Sequence, residues 1–262
     1  MPENDLALLI NAAQAAGDVA RQFTGPTAKA WDKDDGAGPV TEADLAVNTL
    51  LHDKLQAARP DYGWLSEETE DTDDRLSCDT VFVVDPIDGT RSFIEGSNTW
   101  AHSLAIAHKG EVIAGVVYLP MRDKLYAAAK GQGATLNGSV FKVSARSELV
   151  GANVLSAKPG FAAQHWRSDV PDMIRHFRPS LAYRLGLVAE GRFDAMFTMR
   201  AAWEWDIAAG ELLVREAGGV SSDLTGRALR FNNADPRLNG VITANAELHK
   251  NILSELAPVA PM

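Results

Sequence analysis

Residues 83–90, with the sequence Val-Val-Asp-Pro-Ile-Asp-Gly-Thr, carry the strongest chemical signal in the chain. Asp85 and Asp88 lie three positions apart, where a β-branched strand predicted over 81–84 gives way to a Pro/Gly turn. Both carboxylates should therefore point into one small volume, and hard divalent cations need oxygen ligands packed in this way. The pattern predicts a metal site. The alternative interpretation is that both aspartates only shape the turn.

Gly89 and Thr90 follow this acidic pair and are predicted to begin a helix. The first turn of a helix has unpaired backbone N–H groups and the positive end of the helix dipole, and both favour a phosphate group. We therefore expect a phosphate to be held beside the predicted metal site.

A second acidic pair, Glu67-Glu68, follows the apolar segment 62–65 at the exit of another predicted strand. Adjacent glutamates are common in an acidic chain, so the alternative interpretation is a solvated loop, and the acidic run over 70–74 is expected to be one. Glu67 contributes to a metal site only if folding brings it next to Asp85.

Asp206 belongs to a third segment, Trp-Asp-Ile-Ala-Ala-Gly at 205–210, and is predicted to lie at the start of a helix. The alternative interpretation is an ordinary N-cap, because Asp is favoured at that position. The small residues that follow would let this helix approach another backbone closely.

Hydrophobic periodicity predicts the elements that position these candidates. Helices are predicted over 5–22 and 42–57, and the second opens with Thr41 and Asp44, which resemble a capping box. Lys109-Gly110 predicts a hairpin. The strands predicted in this half of the chain are 81–84, 101–107, 112–119 and 124–128.

Beyond residue 150 the order of predicted elements changes. It runs through strand 153–156, helix 181–190, strand 193–198, helix 206–217, strands 219–222 and 240–244, and a helix from 247. This alternation predicts a second lobe with helices packed on a sheet. We therefore expect an N-terminal lobe, 1–150, with most of the acidic candidates, and a C-terminal lobe, 151–262, with Asp206 and substrate contacts. The site should lie in the crevice between the lobes.

The composition excludes several classes of protein. The chain has 262 residues and a formal net charge of −10. This negative charge disfavours non-specific binding to the phosphate backbone of a nucleic-acid polymer. The longest apolar run, 112–119, is too short to span a membrane. Cys78 is the single cysteine, and the acidic N-terminus does not resemble an export signal. We therefore expect a cytoplasmic protein with no membrane partner.

Four sequence blocks follow one another along the chain: Thr-x-x-Asp at 41–44, Glu-Glu at 67–68, Asp-Pro-x-Asp-Gly-Thr at 85–90 and Trp-Asp-x-Ala-Ala-Gly at 205–210. In this order they resemble the inositol monophosphatase superfamily of metal-dependent, lithium-sensitive phosphatases, and the match spans 33–219. The resemblance implies an α/β (α+β) fold, a layered αβαβα sandwich, that forms a homodimer and uses two or three Mg²⁺ ions.

The resemblance also implies roles for individual residues. The implied metal ligands are Glu67, Asp85, Asp88, Asp206 and the backbone carbonyl of Ile87. Asp44 and Thr90 are implied as the catalytic pair that orients or deprotonates the attacking water, together with Glu67, and Lys33 matches a basic residue of the N-terminal metal loop. The substrate-binding candidates are Gly89, Thr90, Arg91 and Arg184.

The implied reaction is hydrolysis of a phosphomonoester of a small metabolite by direct in-line attack of water. Two metal ions can activate water on one side of phosphorus and neutralise the leaving oxygen on the other. Thr90 has no nearby histidine in sequence, which makes it a poor covalent nucleophile, so we expect no phosphoenzyme.

Two other interpretations are open at this point. Haloacid-dehalogenase-type phosphatases also carry Asp and Gly-Thr after a β-branched strand, and in such an enzyme Asp85 would form an aspartyl phosphate. Their motif has one residue between its two aspartates, whereas here there are two. A protein that kept the fold as a non-catalytic binding module is the third possibility.

The substrate is predicted from departures within the resemblance. Relatives that act on inositol phosphates place Gly before the Glu pair and Glu seven residues before the final Asp, and this chain has Ser66 and Met199 there. The segments 34–35, 39–41, 65–68 and 187–191 look more like the bacterial 3'(2'),5'-bisphosphate nucleotidase branch. A bisphosphate nucleotide is therefore the leading expectation, and inositol 1-phosphate or another sugar or polyol phosphate is the alternative. Arg91 or Arg184 would hold the second phosphate, unless both are surface residues.

Overall fold

The computed structural model describes residues 4–23, 28–33 and 38–258. Its helices are α1 (Asp5–Ala20), α2 (Glu42–Ala58), α3 (Thr90–Ile94), α4 (Leu181–Ala189), α5 (Glu204–Glu216) and α6 (Ala246–Glu255). Its strands up to residue 140 are β1 (Ala30–Asp32), β2 (Pro39–Thr41), β3 (Gly63–Ser66), β4 (Thr80–Asp88), β5 (Ala101–His108), β6 (Glu111–Leu119), β7 (Lys124–Ala129), β8 (Ala134–Leu136) and β9 (Ser139–Val140). The later strands are β10 (Asn153–Leu155), β11 (Ile174–His176), β12 (Ala195–Thr198), β13 (Ala202–Trp203), β14 (Val220–Ser222), β15 (Arg237–Leu238) and β16 (Val241–Ala244).

The larger sheet has seven strands in the order β3-β4-β5-β6-β7-β8-β9. The β3–β4 pair is parallel, and the other neighbours are antiparallel. The predicted hairpin between β5 and β6 is confirmed: Lys109 and Gly110 have φ values of 50° and 81°, in the left-handed region that tight hairpin turns require.

Helices α1 and α2 pack together on one face of this sheet. Their apolar positions recur at helical spacing, so Leu9, Val47 and Leu51 are buried against Phe82 and Leu104 of the sheet. The predicted capping box is present at the start of α2, where the Thr41 and Asp44 side chains each bind the other's backbone N–H.

Helices α4 and α5 cover the opposite face of the large sheet. A second, five-stranded sheet in the order β11-β10-β12-β16-β14 lies beyond them. One apolar cluster joins Val117 of β6 and Leu185 and Leu212 of the two helices to Val241 of β16. Helix α6 covers the far side of the small sheet, with Leu248 and Ile252 in a third cluster. The order is helices, sheet, helices, sheet, helix, which confirms the αβαβα sandwich.

The small residues of α5 permit the close approach that the sequence predicts. A Cβ on Gly115 of β6 would lie 3.1 Å from Ala209 Cα, and one on Gly210 would lie 2.4 Å from Leu185 of α4. A side chain at either glycine would push α5 away from its neighbours.

Several predicted boundaries were wrong. The strand predicted over 81–84 runs on to Asp88, so Asp85 lies within a strand and not in a turn. Helix α5 begins two residues before Asp206, and its N-cap is Trp203. The periodicity did not predict the short strands β1, β2, β8, β9, β11, β13 and β15.

The seven-stranded sheet uses residues 63–140 and the five-stranded sheet uses 153–244, although one apolar cluster joins them. The division into lobes at residue 150 stays a prediction. Within the described ranges, none of the helices combines the length and hydrophobicity that a membrane crossing requires.

Candidate metal centre and substrate cleft

The geometry of β4 explains how two aspartates three positions apart share one side of a strand. Asp85 pairs with Ser103 and Asp88 pairs with Ala101, so β4 has one more residue than β5 between these two positions. In a regular strand, residues three apart point to opposite faces. The extra residue is a bulge, and it returns Asp88 to the side of Asp85.

Asp206 approaches this pair from the first turn of α5. Carboxylate oxygens of Asp85, Asp88 and Asp206 all lie within 4.8 Å of one another. The Ser103 hydroxyl donates to the carbonyl of Trp205 at 2.8 Å, which ties the start of α5 to β5. The structure therefore brings together three of the predicted metal ligands, whose ligand role stays a prediction. We refer to them below as the acidic trio.

Glu204 fixes the first turn of α5 from the opposite side. Its buried carboxylate accepts from the backbone N–H groups of Asn232 and Asn233 at 2.6 and 2.9 Å. The buried Arg75 binds the Asn232 side chain and forms a two-pronged ion pair with Asp71, at 2.6 and 2.7 Å. Asp71, expected in a solvated loop, thus helps connect the segment after the glutamate pair to the helix that carries Asp206.

Glu67 lies beside the trio because β3 pairs with β4 in parallel. Its backbone N–H donates to the carbonyl of Val84 at 3.2 Å, one residue before Asp85. The condition for its role as a ligand, proximity to Asp85, is thus met. Lys33 donates to Glu67 at 3.0 Å and to Glu68 at 2.7 Å, so the basic residue predicted for the metal loop is placed at the glutamate pair.

The end of β4 carries the predicted carbonyl ligand, Ile87, and the first residue of α3 is the predicted catalytic threonine, Thr90. Gly89 has a φ of 97°, which a residue with a side chain rarely adopts, and the Thr90 hydroxyl donates to the Ile87 carbonyl at 3.2 Å. The buried His102 Nδ1 lies within hydrogen-bond distance of the Pro86 carbonyl, and desolvation lowers the His102 pKa to about 4, so the ring is neutral there. Sequence reasoning missed this support of the loop.

Asp44 is buried and uses one carboxylate oxygen for the capping box, accepting from the Thr41 N–H at 2.8 Å. Its other oxygen, Oδ1, is buried without a hydrogen-bond partner in the described structure. The observed partner of Asp44 is thus Thr41, whereas that of Thr90 is Ile87. Their predicted pairing around a water stays a prediction.

The Asp88 carboxylate also accepts hydrogen bonds from the start of α4. The Ser180 hydroxyl and the Ala182 N–H both donate to Asp88 Oδ2 at 2.6 Å, and the Leu181 N–H donates to Oδ1 at 3.2 Å. Ser180 is the N-cap of α4. The helix thus holds the carboxylate in place, a contact that the sequence did not indicate.

Burial and the charges of neighbouring carboxylates raise the pKa values of the acidic trio. Desolvation, followed by the charge of Glu67, raises the pKa of Asp85 well above its ordinary range. Desolvation, followed by the charge of Asp88, does the same for Asp206. Desolvation also raises the pKa of Asp88 to about 6, although hydrogen bonds from Ser180 and the start of α4 oppose the increase.

The donor set fits Mg²⁺. Asp85 is 1% exposed, and its Oδ1 is buried without a hydrogen-bond partner among the described residues. A buried carboxylate oxygen needs a hydrogen-bond donor or a cation as its partner, and Mg²⁺ is a hard cation that binds oxygen ligands. The acidic trio, with Glu67 and the Ile87 carbonyl nearby, offers only oxygen donors. These residues can therefore hold Mg²⁺.

The acidic trio opens into a cleft of about 670 Å³, within the usual size range of small-molecule sites. The predicted substrate contacts, Gly89, Thr90, Arg91 and Arg184, all line it, and their role in binding a substrate stays a prediction. Arg91 is exposed, but Arg184 is only 7% exposed and is not a surface arginine. Arg200 also lines the cleft and was missed, because no motif contains it.

Ser66 and Met199, the two positions that depart from the inositol-phosphate pattern, do not place polar groups in the cleft. Met199 packs against the apolar cluster under the small sheet, while the next residue, Arg200, lines the cleft. The Ser66 hydroxyl donates to the Asn48 side chain at 2.7 Å. Asp34 and Asp35, part of the nucleotidase-like pattern, lie outside the described residues.

The raised pKa values predict that Mg²⁺ binding depends on pH. Desolvation raises the pKa of both Asp88 and Asp44 from 3.8 to about 6, so the folded metal-free protein binds protons more tightly than the unfolded chain. The contribution of these groups to stability is complete below about pH 4 and is lost as pH rises through about 6. Because Mg²⁺ must displace the proton of Asp88, a predicted ligand, the stabilisation by Mg²⁺ should grow over the same range.

Thermal unfolding with and without Mg²⁺ at several pH values between about 5 and 8 measures this effect. We expect the increase in Tm caused by Mg²⁺ to be small at the acid end and largest at the alkaline end. An increase that stays constant over this range would contradict the prediction.

The model of the inositol monophosphatase family matches residues 1–259. Nus factor SuhB of Escherichia coli strain K12 is 35% identical to this chain over 233 residues, covering 84% of this chain and 85% of that protein. Inositol-1-monophosphatase of Rhizobium meliloti strain 1021 is 37% identical over 197 residues, covering 71% and 73%. The crystal structure of the extragenic suppressor protein suhB from Bartonella henselae has a TM-score of 0.78 at 30% identity, covering 94% of this chain and 96% of that chain.

Proposed function

This chain belongs to the inositol monophosphatase family, and we propose that it hydrolyses a 3'(2'),5'-bisphosphate nucleotide, with 3'-phosphoadenosine 5'-phosphate as the leading substrate. The family comprises Mg²⁺-dependent phosphatases that act on small phosphorylated substrates. The family match removes the haloacid-dehalogenase and binding-module alternatives. The proposal therefore concerns the substrate and the roles of individual residues.

The arginines that line the cleft are the main support for the proposed substrate. Arg91, Arg184 and Arg200 line the same cleft as the acidic trio in a chain of formal net charge −10. Arginine is the side chain best suited to a phosphate, because its planar donors can form two parallel charge-assisted hydrogen bonds. One phosphate would lie at the metal centre, and these arginines would hold the second.

Inositol 1-phosphate is the second candidate, because the Rhizobium meliloti relative is an inositol-1-monophosphatase. A polyol needs hydrogen-bond acceptors for its hydroxyl groups. At the position where inositol-phosphate relatives place a glutamate, this chain has Met199, which is partly buried against an apolar cluster. This difference favours the substrate with a second phosphate.

We propose direct in-line attack by a water held between Asp44 and Thr90. The bond from Thr90 to the Ile87 carbonyl fixes the hydroxyl, and Asp44 keeps a buried carboxylate oxygen without a hydrogen-bond partner. When bound, Mg²⁺ would lower the pKa of the water and neutralise the leaving oxygen. Gly89 and Thr90 would bind the reacting phosphate at the start of α3. The displacement would invert configuration at phosphorus.

We also propose that the enzyme acts as a cytoplasmic homodimer on a free metabolite and not on a nucleic-acid polymer. The single cysteine supports a reducing compartment. The formal net charge of −10 opposes non-specific binding to a polyphosphate backbone.

A phosphate-release assay with Mg²⁺ tests the substrate. The panel comprises 3'-phosphoadenosine 5'-phosphate, inositol 1-phosphate, fructose 1,6-bisphosphate and histidinol phosphate. We expect the highest kcat/KM for the nucleotide. The Arg200→Gln variant should lose about 10-fold or more on that substrate, since a hydrogen bond to a charged group contributes about 1.5–3 kcal/mol, and less on inositol 1-phosphate.

The exposed Arg192, which follows α4 and does not line the cleft, provides the matched control Arg192→Gln. Arg200 also acts on the charge of Asp206, but that effect is common to all substrates and cancels in the ratio. A higher kcat/KM for inositol 1-phosphate than for the nucleotide would refute the proposed substrate.

A further inference from the structure

Phe177 is an exposed aromatic side chain on the wall of the cleft. It follows β11, its surface is 47% exposed, and it lines the same cleft as the acidic trio. The guanidinium of Arg184 lies 4.5 Å from the centre of its ring. One face of the ring is thus covered by a cation, and the exposed surface belongs to the other face and the edge.

The position of this ring is fixed relative to the metal centre. Arg184 donates to the backbone carbonyls of Arg178 and Pro179, which bind the segment after Phe177 to helix α4. The next residue, Ser180, caps α4 and donates to Asp88 at 2.6 Å. Two consecutive contacts therefore connect the Phe177 ring to the acidic trio. Because the ring is already held in place, binding of a substrate would not carry the entropy cost of ordering it.

The other large aromatic group on the cleft wall is already stacked. Trp203 lies parallel to Trp205, with ring centres 4.7 Å apart, and the guanidinium of Arg237 lies 5.6 Å from the Trp203 ring centre. Trp203 is thus stacked on another aromatic ring and also has a cation over it. Among the described residues three aromatic side chains line the cleft, and Phe177 is the most exposed of them and has no aromatic stacking partner.

We propose that the free face of Phe177 is the stacking surface for the heteroaromatic base of the substrate. This inference rests on the proposed nucleotide substrate. A base offers a planar π-face to an aromatic ring, and a polyol or sugar phosphate does not. The guanidinium of Arg184 covers the other face of the ring and holds the ring in place. Phe177 therefore selects nucleotides over other bisphosphates of similar charge.

A comparison of two substrates and two variants tests this role. The substrates are 3'-phosphoadenosine 5'-phosphate and the abasic analogue that keeps both phosphates but lacks the base. We expect Phe177→Ala to raise KM for the nucleotide about 10-fold, equivalent to about 1.4 kcal/mol, with kcat little changed. KM for the abasic analogue should not change, and Phe177→Tyr should retain the nucleotide KM.

The control is Ile174→Ala, because Ile174 is exposed on β11 just before Phe177 but does not line the cleft. Equal losses on both substrates would mean that Phe177 only supports the cleft, and no loss on either would mean that the base lies elsewhere. Both results overturn the inference while the nucleotide is still hydrolysed. If the wild-type protein does not hydrolyse the nucleotide, the proposed function fails and the inference fails with it.

Discussion

Asp85→Asn is expected to reduce kcat for phosphate release by about 10³-fold or more. Asp85 is the most deeply buried member of the acidic trio, and its Oδ1 has no protein hydrogen-bond partner in the described structure. An amide keeps the size of the side chain but loses the negative charge that would attract Mg²⁺. Because the substitution is nearly isosteric, the fold should be retained.

The measurement is the initial rate of phosphate release with saturating Mg²⁺, alongside wild-type protein in excess chelator. Both samples should be close to inactive. The exposed Asp61 provides the control Asp61→Asn, which should have the wild-type rate. Undiminished turnover by the wild-type protein in chelator would exclude the proposed use of Mg²⁺.

Local sequence predicted the acidic cluster well because its chemistry is concentrated in short segments. Asp85 and Asp88 lie within one motif, and Glu67 follows the strand that pairs in parallel with the strand carrying that motif. The bulge was not predictable, because it depends on how β4 pairs with β5. The sequence correctly indicated that the two carboxylates converge, but a bulge within β4 brings them together, and not a turn that begins at Asp85.

Several of the missed features are contacts between residues far apart in the chain. Arg75 contacts Asn232, and Ser180 contacts Asp88, at separations of 157 and 92 residues. Neither contact has a local signature, so Asp71 was expected in a solvated loop and Ser180 was not identified as a support of Asp88. Similarly, the exposure of Arg200 beside the partly buried Met199 depends on how the end of β12 meets the cleft.

The acidic trio is an arrangement that folding alone would not favour. Three carboxylates within 4.8 Å of one another repel, and burial raises the pKa of each above its ordinary range. Supporting contacts compensate for this, including the two-pronged Arg75–Asp71 ion pair and the donors of α4 on Asp88. Functional sites often contain charged groups whose burial lowers the stability of the fold.

This conflict predicts opposite effects of Asp206→Ala on activity and on stability. We expect kcat to fall by about 10²-fold or more, because a predicted ligand and its charge are lost. Without Mg²⁺, however, the variant should be at least as stable as the wild-type protein at alkaline pH. Asp206 is not the N-cap of α5, and its interaction with the helix dipole contributes only about 0.3–1 kcal/mol. Its removal relieves repulsion from Asp88 and Glu67 and leaves fewer carboxylates buried.

Urea unfolding with and without Mg²⁺ separates these effects. For the wild-type protein, Mg²⁺ at 100 times its Kd should add about 2.7 kcal/mol to the free energy of unfolding. For Asp206→Ala at the same concentration, most of that increase should be absent, because Mg²⁺ binds more weakly. The anchor at Glu204 is two residues away and is retained, so α5 should still begin at the same place. A variant that unfolds at lower urea without Mg²⁺ yet keeps normal specific activity would show that Asp206 supports the helix and does not hold the metal.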